Sequence, residues 1–168
     1  MTFDLNNPIA DFAANDSGDA NWPSHHQLDE NQPVDHFIVR NGVEFAGTHI
    51  IIDLWGAQAL DDLELMEATL RKAVSVSGAT LLHIHLHHFT PNGGISGVAV
   101  LAESHISVHT WPERDFAAFD VFMCGDAVPE ATIAVFRDAF KPEKISISEH
   151  LRGVNMEHTN SPDSPRTR

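Results

Sequence analysis

The run LAESHISVHTWPE, Leu101 to Glu113, sets Glu103, Ser104, His105 and His109 among aliphatic residues that otherwise read as strand. Each polar group inside a strand must find a partner or face water. The stretch is therefore either a wet sheet face or a place where chemistry happens. Ser104 is a weak nucleophile until a base, usually a histidine, removes its proton. The hydrolase elbow G-x-S-x-G is absent, because Ser104 sits in AESHI, and no Asp follows where spacing would nominate a triad orienter. Spacing alone does not make a serine hydrolase.

A second cluster is LHIHLHH, Leu82 to His88. On a strand His83, His85 and His87 share one face, ~6.6 Å apart at two residues each. Two such histidines can hold zinc if a third ligand arrives from elsewhere, for which His105 and His109 are candidates. That would make a zinc-binding hydrolase or a metal-binding module. The chain offers no HExxH helix and no cysteine ligand pair, so the plainer reading is a sheet surface facing solvent or another subunit. Cys124 is the single cysteine and forms no intrachain disulfide, which suits a reducing, cytoplasmic setting.

The elements that must hold these groups are legible from periodicity. Thr48–Trp55, Thr80–Phe89, Ile95–Ala102, His105–Thr110, Phe116–Cys124 and Lys144–His150 read as strands. Leu60–Val74 carries Leu63, Met66, Leu70, Ala73 and Val74 on one helical face, with Asp61 or Asp62 as cap and Gly78 as stop. Pro129–Phe140 is a second amphipathic helix. Strands clustered between helices predict an α+β two-layer sandwich, a largely antiparallel sheet with helices on one face. The other face is then wet, functional or covered by a second subunit. Residues 1–40 and 155–168, rich in Asp, Asn, Pro and Ser, read as disordered tails, the first acidic, around a domain at 45–154.

The 168 residues carry 10 Lys and Arg against 24 Asp and Glu, a formal charge of -14. This opposes non-specific binding to nucleic acid or to an anionic membrane surface, and no apolar run approaches the ~20 residues of a membrane helix. A cationic small molecule is compatible with it.

Three motifs occur together: GISG at Gly94 to Gly97, AESHISVHTWPE at Ala102 to Glu113, and FMCG at Phe122 to Gly125. In order and spacing they resemble the short prokaryotic S-adenosylmethionine decarboxylase proenzymes, a likeness that spans about Gly47 to Gly153. The acidic N-terminal extension, and an added residue in Thr90–Gly94, depart from that pattern. The resemblance implies self-cleavage between Glu103 and Ser104. Ser104 becomes a pyruvoyl group, the covalent cofactor, which forms a Schiff base with the substrate amine and serves as the electron sink that amino-acid decarboxylation needs. It further implies Cys124 as proton donor, His109 as acid/base in maturation with Ser96 assisting, Glu113 on the ribose hydroxyls and Phe89 on the adenine. Without the motif, Cys124, Phe89 and Trp111 read as core and Ser96 as a turn residue. The product implied is decarboxylated S-adenosylmethionine, used in spermidine synthesis. A pyruvoyl-dependent arginine or ornithine decarboxylase is the alternative, because the maturation motifs do not report the side chain recognised.

An extended His105–His109 puts Ser104 and His109 about 16 Å apart. Ser96 and His109 of one protomer are then expected to serve Ser104 and Cys124 of the other across a two-fold dimer, as the resemblance also implies.

Overall fold

The computed structural model describes residues 37–154. The tails expected over 1–40 and 155–168 lie outside the described residues, apart from the last few of the first. Those do not form a tail: Ile38–Arg40 (β1) and Val43–Phe45 (β2) pair as an antiparallel hairpin. Asn41 (φ 54°) and Gly42 (φ 80°) turn it, the two left-handed residues that a tight hairpin loop prefers. Phe45 is fully buried, and the Arg40 guanidinium lies 5.7 Å from its ring.

The main sheet uses β3 (Gly47–Trp55), β4 (Leu81–His88), β5 (Ile95–Leu101), β6 (Ser104–Trp111), β7 (Phe116–Cys124) and β8 (Lys144–Arg152). Their spatial order is β4-β5-β6-β7-β3-β8, and every neighbouring pair is antiparallel. Helices α1 (Leu63–Val76) and α2 (Ala131–Phe140) cover one face, so the two-layer α+β arrangement holds. Alternation explains why. Ile50, Ile52 and Leu54 of β3, Ile106 and Val108 of β6, and Phe119, Val121 and Met123 of β7 all turn to the helices and are buried. They meet Met66, Leu70, Ala73 and Val74 of α1 and Phe136 and Phe140 of α2. Phe119 stacks on Phe136 with centroids 4.2 Å apart. Each such large side chain contributes roughly 1.5–3 kcal/mol by leaving water.

Helix α1 starts three residues later than its apolar pattern suggests. Asp62 caps it by accepting the Leu65 N–H at 2.9 Å, and Leu60 is buried in the preceding loop instead. The chain leaves α1 through Ser77 and left-handed Gly78 (φ 76°).

The opposite face of the sheet holds the chemistry-bearing residues in rows fixed by register. One row reads His87, Ser96, His109, Ala118, Asp53 and Ser146. Another, four residues further along each strand, reads His83, Val100, His105, Phe122, His49 and His150. Trp111 belongs to this face and is 41 % exposed, and Phe89 just past β4 is 48 % exposed. Trp111 is not core because the odd-numbered positions of β6 point away from the helices, and Phe89 lies in the loop beyond the end of β4.

Candidate active site

The expected residues fall into two groups at opposite ends of β6. At one end Ser96 Oγ lies 2.8 Å from His109 Nδ1, since β5 and β6 pair these residues directly. A cavity of about 350 Å³ surrounds them, lined also by Phe89, Trp111 and Glu113. Pro112–Arg114 forms a single 3-10 turn that carries Glu113 to its rim. Phe89 is set by the loop after β4, where its N–H donates to the Gly94 carbonyl and its own carbonyl accepts from Gly93.

Both glycines of the GISG motif have steric reasons. A Cβ on Gly94 would come within 2.9 Å of the Thr110 carbonyl oxygen, and one on Gly97 would overlap the His85 carbonyl. Between them Ile95 is tied down by Thr110. The buried Thr110 hydroxyl accepts the Ile95 N–H at 2.8 Å and donates to the Leu60 carbonyl at 2.9 Å. One side chain therefore joins β5, β6 and the loop before α1 directly beneath Ser96 and His109.

At the other end of β6 the hairpin Leu101–Ser104 turns through Ala102 and Glu103, and Glu103 is left-handed at φ 60°. The Cys124 N–H donates to Ser104 Oγ at 3.1 Å. A second cavity, about 250 Å³, is lined by Glu103, Ser104, Cys124 and Asp126 together with Thr80 and Gly125. Burial, and secondarily the Glu103 carboxylate, pushes the Cys124 thiol above its ordinary range, so the sulfur keeps its proton at neutral pH.

The two groups do not meet within one chain. β6 runs unbroken from Ser104 to Trp111, with Ser107 paired to both Val98 and Asp120. Five residues at ~3.3 Å each leave about 16 Å between Ser104 and His109.

Between the groups lies a polar chain that the sequence reading missed. Ser107 donates to Asp120 at 3.1 Å, His49 Nε2 is 3.4 Å from the same carboxylate, and Arg152 lies 3.1 Å from His49 Nδ1. Because a guanidinium only donates, that nitrogen is the acceptor and the His49 proton sits on Nε2, on the Asp120 side of the ring. At 3.4 Å this contact does not meet hydrogen-bond geometry, so Nε2 is buried beside the Asp120 carboxylate without a hydrogen-bond partner among the described residues. Its members are spread over β3, β6, β7 and β8, so only the register brings them together. His105 is pushed below the ordinary histidine range by burial first and by His49 second, with Asp120 opposing.

His83, His85 and His87 line one face of edge strand β4, as expected, with the first two rings stacked at 6.5 Å. Among the described residues no three His, Cys, Asp or Glu side chains converge as metal ligands, and none of the described helices is long and apolar enough to cross a membrane.

Residues 48–153 match the family model for S-adenosylmethionine decarboxylase. The chain belongs to that family. It is 51% identical over 111 residues to the S-adenosylmethionine decarboxylase proenzyme of Methanococcus vannielii, covering 64% of this chain and 90% of the relative. It is 44% identical over 109 residues to that of Thermomicrobium roseum, covering 64% and 94%. The crystal structure of the adenosylmethionine decarboxylase from Aquifex aeolicus superposes with a TM-score of 0.59 at 32% identity, covering 70% of this chain and 98% of the other. The S-adenosylmethionine decarboxylase match contains every candidate residue from Phe89 to Cys124 and leaves out β1 and β2.

Proposed function

We propose that this chain is a cytoplasmic, self-processing decarboxylase that releases carbon dioxide from S-adenosylmethionine, using a pyruvoyl group made from Ser104. The observation that carries this reading is the contact between the Cys124 N–H and Ser104 Oγ, which seats the only cysteine against the serine of an exposed Glu-Ser turn.

The residues fit the group. With the Cys124 N–H as donor, Ser104 Oγ keeps its own proton available for removal, and the preceding Glu103 carbonyl carbon is one residue away in the same turn. Attack by Oγ makes an ester and frees the amide nitrogen. Removal of the Ser104 α-proton then breaks the Cβ–O bond, leaving Glu103 as a carboxylate and residue 104 as dehydroalanine. Water hydrolyses its enamine nitrogen to ammonia and a ketone, giving fragments 1–103 and 104–168. When formed, the ketone supplies an electrophilic carbonyl that takes up the substrate amine and the electrons left by carbon dioxide.

The remaining roles belong to the chain's own side chains. Cys124 holds a proton on Sγ beside residue 104, and the raised thiol pKa keeps it there for delivery to carbon. His109, oriented by Ser96, accepts or returns the proton during elimination. Phe89 offers an exposed ring face to a purine and its neighbouring sulfonium, and Glu113 offers a carboxylate to vicinal hydroxyls.

Ser96 and His109 reach Ser104 only from a second copy. A two-fold axis near the middle of β6 reverses one strand against its mate, so the Ser96–His109 end of one protomer approaches the Ser104–Cys124 end of the other. Both site halves are thus completed by dimerisation.

Intact-mass measurement on the purified protein tests the chemistry. Two fragments are expected, the C-terminal one blocked to Edman degradation; a whole chain with an unmodified serine overturns the reading. Carbon dioxide release from S-adenosylmethionine, arginine and ornithine, each supplied alone, tests the substrate. Co-expressing a Ser104→Ala chain with a His109→Ala chain tests sharing: cleavage is restored in the mixture if the sites are shared, and stays absent if they are not.

A further inference from the structure

Among the described residues, the two hairpins with two-residue loops follow opposite rules. The β1–β2 loop uses Asn41-Gly42 with both residues left-handed, the arrangement whose twist matches that of paired strands. The β5–β6 loop is equally short, since Leu101 pairs directly with Ser104. Yet Ala102 keeps a negative φ and only Glu103 is left-handed. A two-residue loop of this kind splays its strands rather than following their twist, and its second position favours glycine. A glutamate stands there. Left-handed backbone brings Cβ of any L-residue against the following carbonyl oxygen, and in Glu103 that carbonyl belongs to the bond proposed to break.

The loop is held from three directions. The Ala102 N–H donates to the Thr80 carbonyl at 2.9 Å, Leu101 and Ser104 are paired in the sheet, and the Cys124 N–H holds Ser104 Oγ. Relaxation by drift of the turn is thereby opposed. Strain persists where surroundings over-determine the conformation, and such places concentrate at functional sites.

We propose that the left-handed backbone of Glu103 is a maturation device: a positioning feature that destabilises the uncut turn and speeds acyl transfer to Ser104. This rests on the self-cleavage reading above. In the transfer a C–O bond forms between the Glu103 carbonyl carbon and Ser104 Oγ, the C–N bond breaks, and the hydroxyl proton ends on the freed amine. The link between the two Cα atoms lengthens from two atoms, C and N, to three, C, Oγ and Cβ. The two-residue turn no longer exists as such, and Glu103 can leave the left-handed region. An ester is intrinsically less stable than an amide, and the released strain offsets part of that difference.

The side chain's charge and the backbone's shape are separable, because alanine and glycine both lack the carboxylate but only alanine keeps a Cβ. Glu103 is exposed in its turn, so neither substitution removes core packing. Cleavage would be followed by mass spectrometry in Glu103→Ala and Glu103→Gly chains made alongside wild type. Glu103→Gly is expected to cut roughly five- to thirty-fold more slowly than Glu103→Ala, the rate equivalent of the left-handed penalty. On an uncleavable Ser104→Ala background, Glu103→Gly should melt roughly 2–6 °C above Glu103→Ala, less than the rate ratio alone implies because glycine's freer unfolded chain offsets part of the gain. Equal rates in a protein whose wild type cuts normally overturn this inference and leave the self-cleavage reading standing. Equal melting points overturn it too. A wild type that stays whole overturns both.

Discussion

Replacing Thr110 by valine removes one oxygen and leaves the side-chain shape almost unchanged, which makes it a sharp test of how the Ser96–His109 end is built. The hydroxyl is buried, with Thr110 7% exposed, and it serves the Ile95 N–H and the Leu60 carbonyl together. Valine strands both backbone groups away from water. At about 1–3 kcal/mol for each unsatisfied group, and allowing for partial relaxation, the expected loss is about 2–4 kcal/mol. For a domain of this size that lowers the thermal midpoint by roughly 8–16 °C. Thr110→Ser keeps both hydrogen bonds and gives up one buried methyl, about 0.8 kcal/mol. Melting would be followed by circular dichroism on the uncut Ser104→Ala background, where each protomer is one unbroken chain. The same variant in the cleavable chain should process more slowly, because Ile95 and the neighbouring Ser96 lose their anchor to β6. If Thr110→Val melts within about 1 kcal/mol of Thr110→Ser, the hydroxyl does not tie these segments and the account is wrong.

Stability should also depend on pH through His105, whose folded pKa is depressed. The unfolded chain then binds the proton more readily, so stability is lost as pH falls below about 6.5 towards the lower folded value; His105→Gln should flatten the slope of the melting point between pH 5 and 7. Alkylation of Cys124 by iodoacetamide should have its midpoint above that of an ordinary thiol, and Glu103→Gln should move the midpoint down, which a pH series of labelling rates measures. Gly97→Ala should cost about 1–3 kcal/mol or more by driving β4 from β5, read from denaturant unfolding of the Ser104→Ala chain.

Alternation in β3, β6 and β7 was strong enough to give the strands, the helix-facing core and the two-layer class directly, because nearly every second residue is aliphatic or aromatic. Distance along β6 was legible for the same reason: an extended strand has a fixed rise, so Ser104 and His109 had to be far apart. Three things were not legible. The Asn41-Gly42 turn falls between the tail expected over 1–40 and the domain expected from 45, so the hairpin's two short strands do not read together. Phe89 and Trp111 looked like core because hydrophobicity alone does not say which side of a sheet a residue takes. The chain from Ser107 through Asp120 and His49 to Arg152 depends on cross-strand register, which pairs residues 103 positions apart and leaves no local trace.

The order of the strands has a further consequence for a cut after Glu103. β3, β4 and β5 precede that bond and β6, β7 and β8 follow it, yet the sheet runs β4-β5-β6-β7-β3-β8. The earlier piece thus interleaves with the later one, β3 being gripped on both sides by strands of the other fragment. Parting the pieces would mean unzipping three complete ladders and splitting one core. Severing the backbone therefore creates two polypeptides that have nowhere to go, and the nick frees a chemical end without loosening the molecule around it.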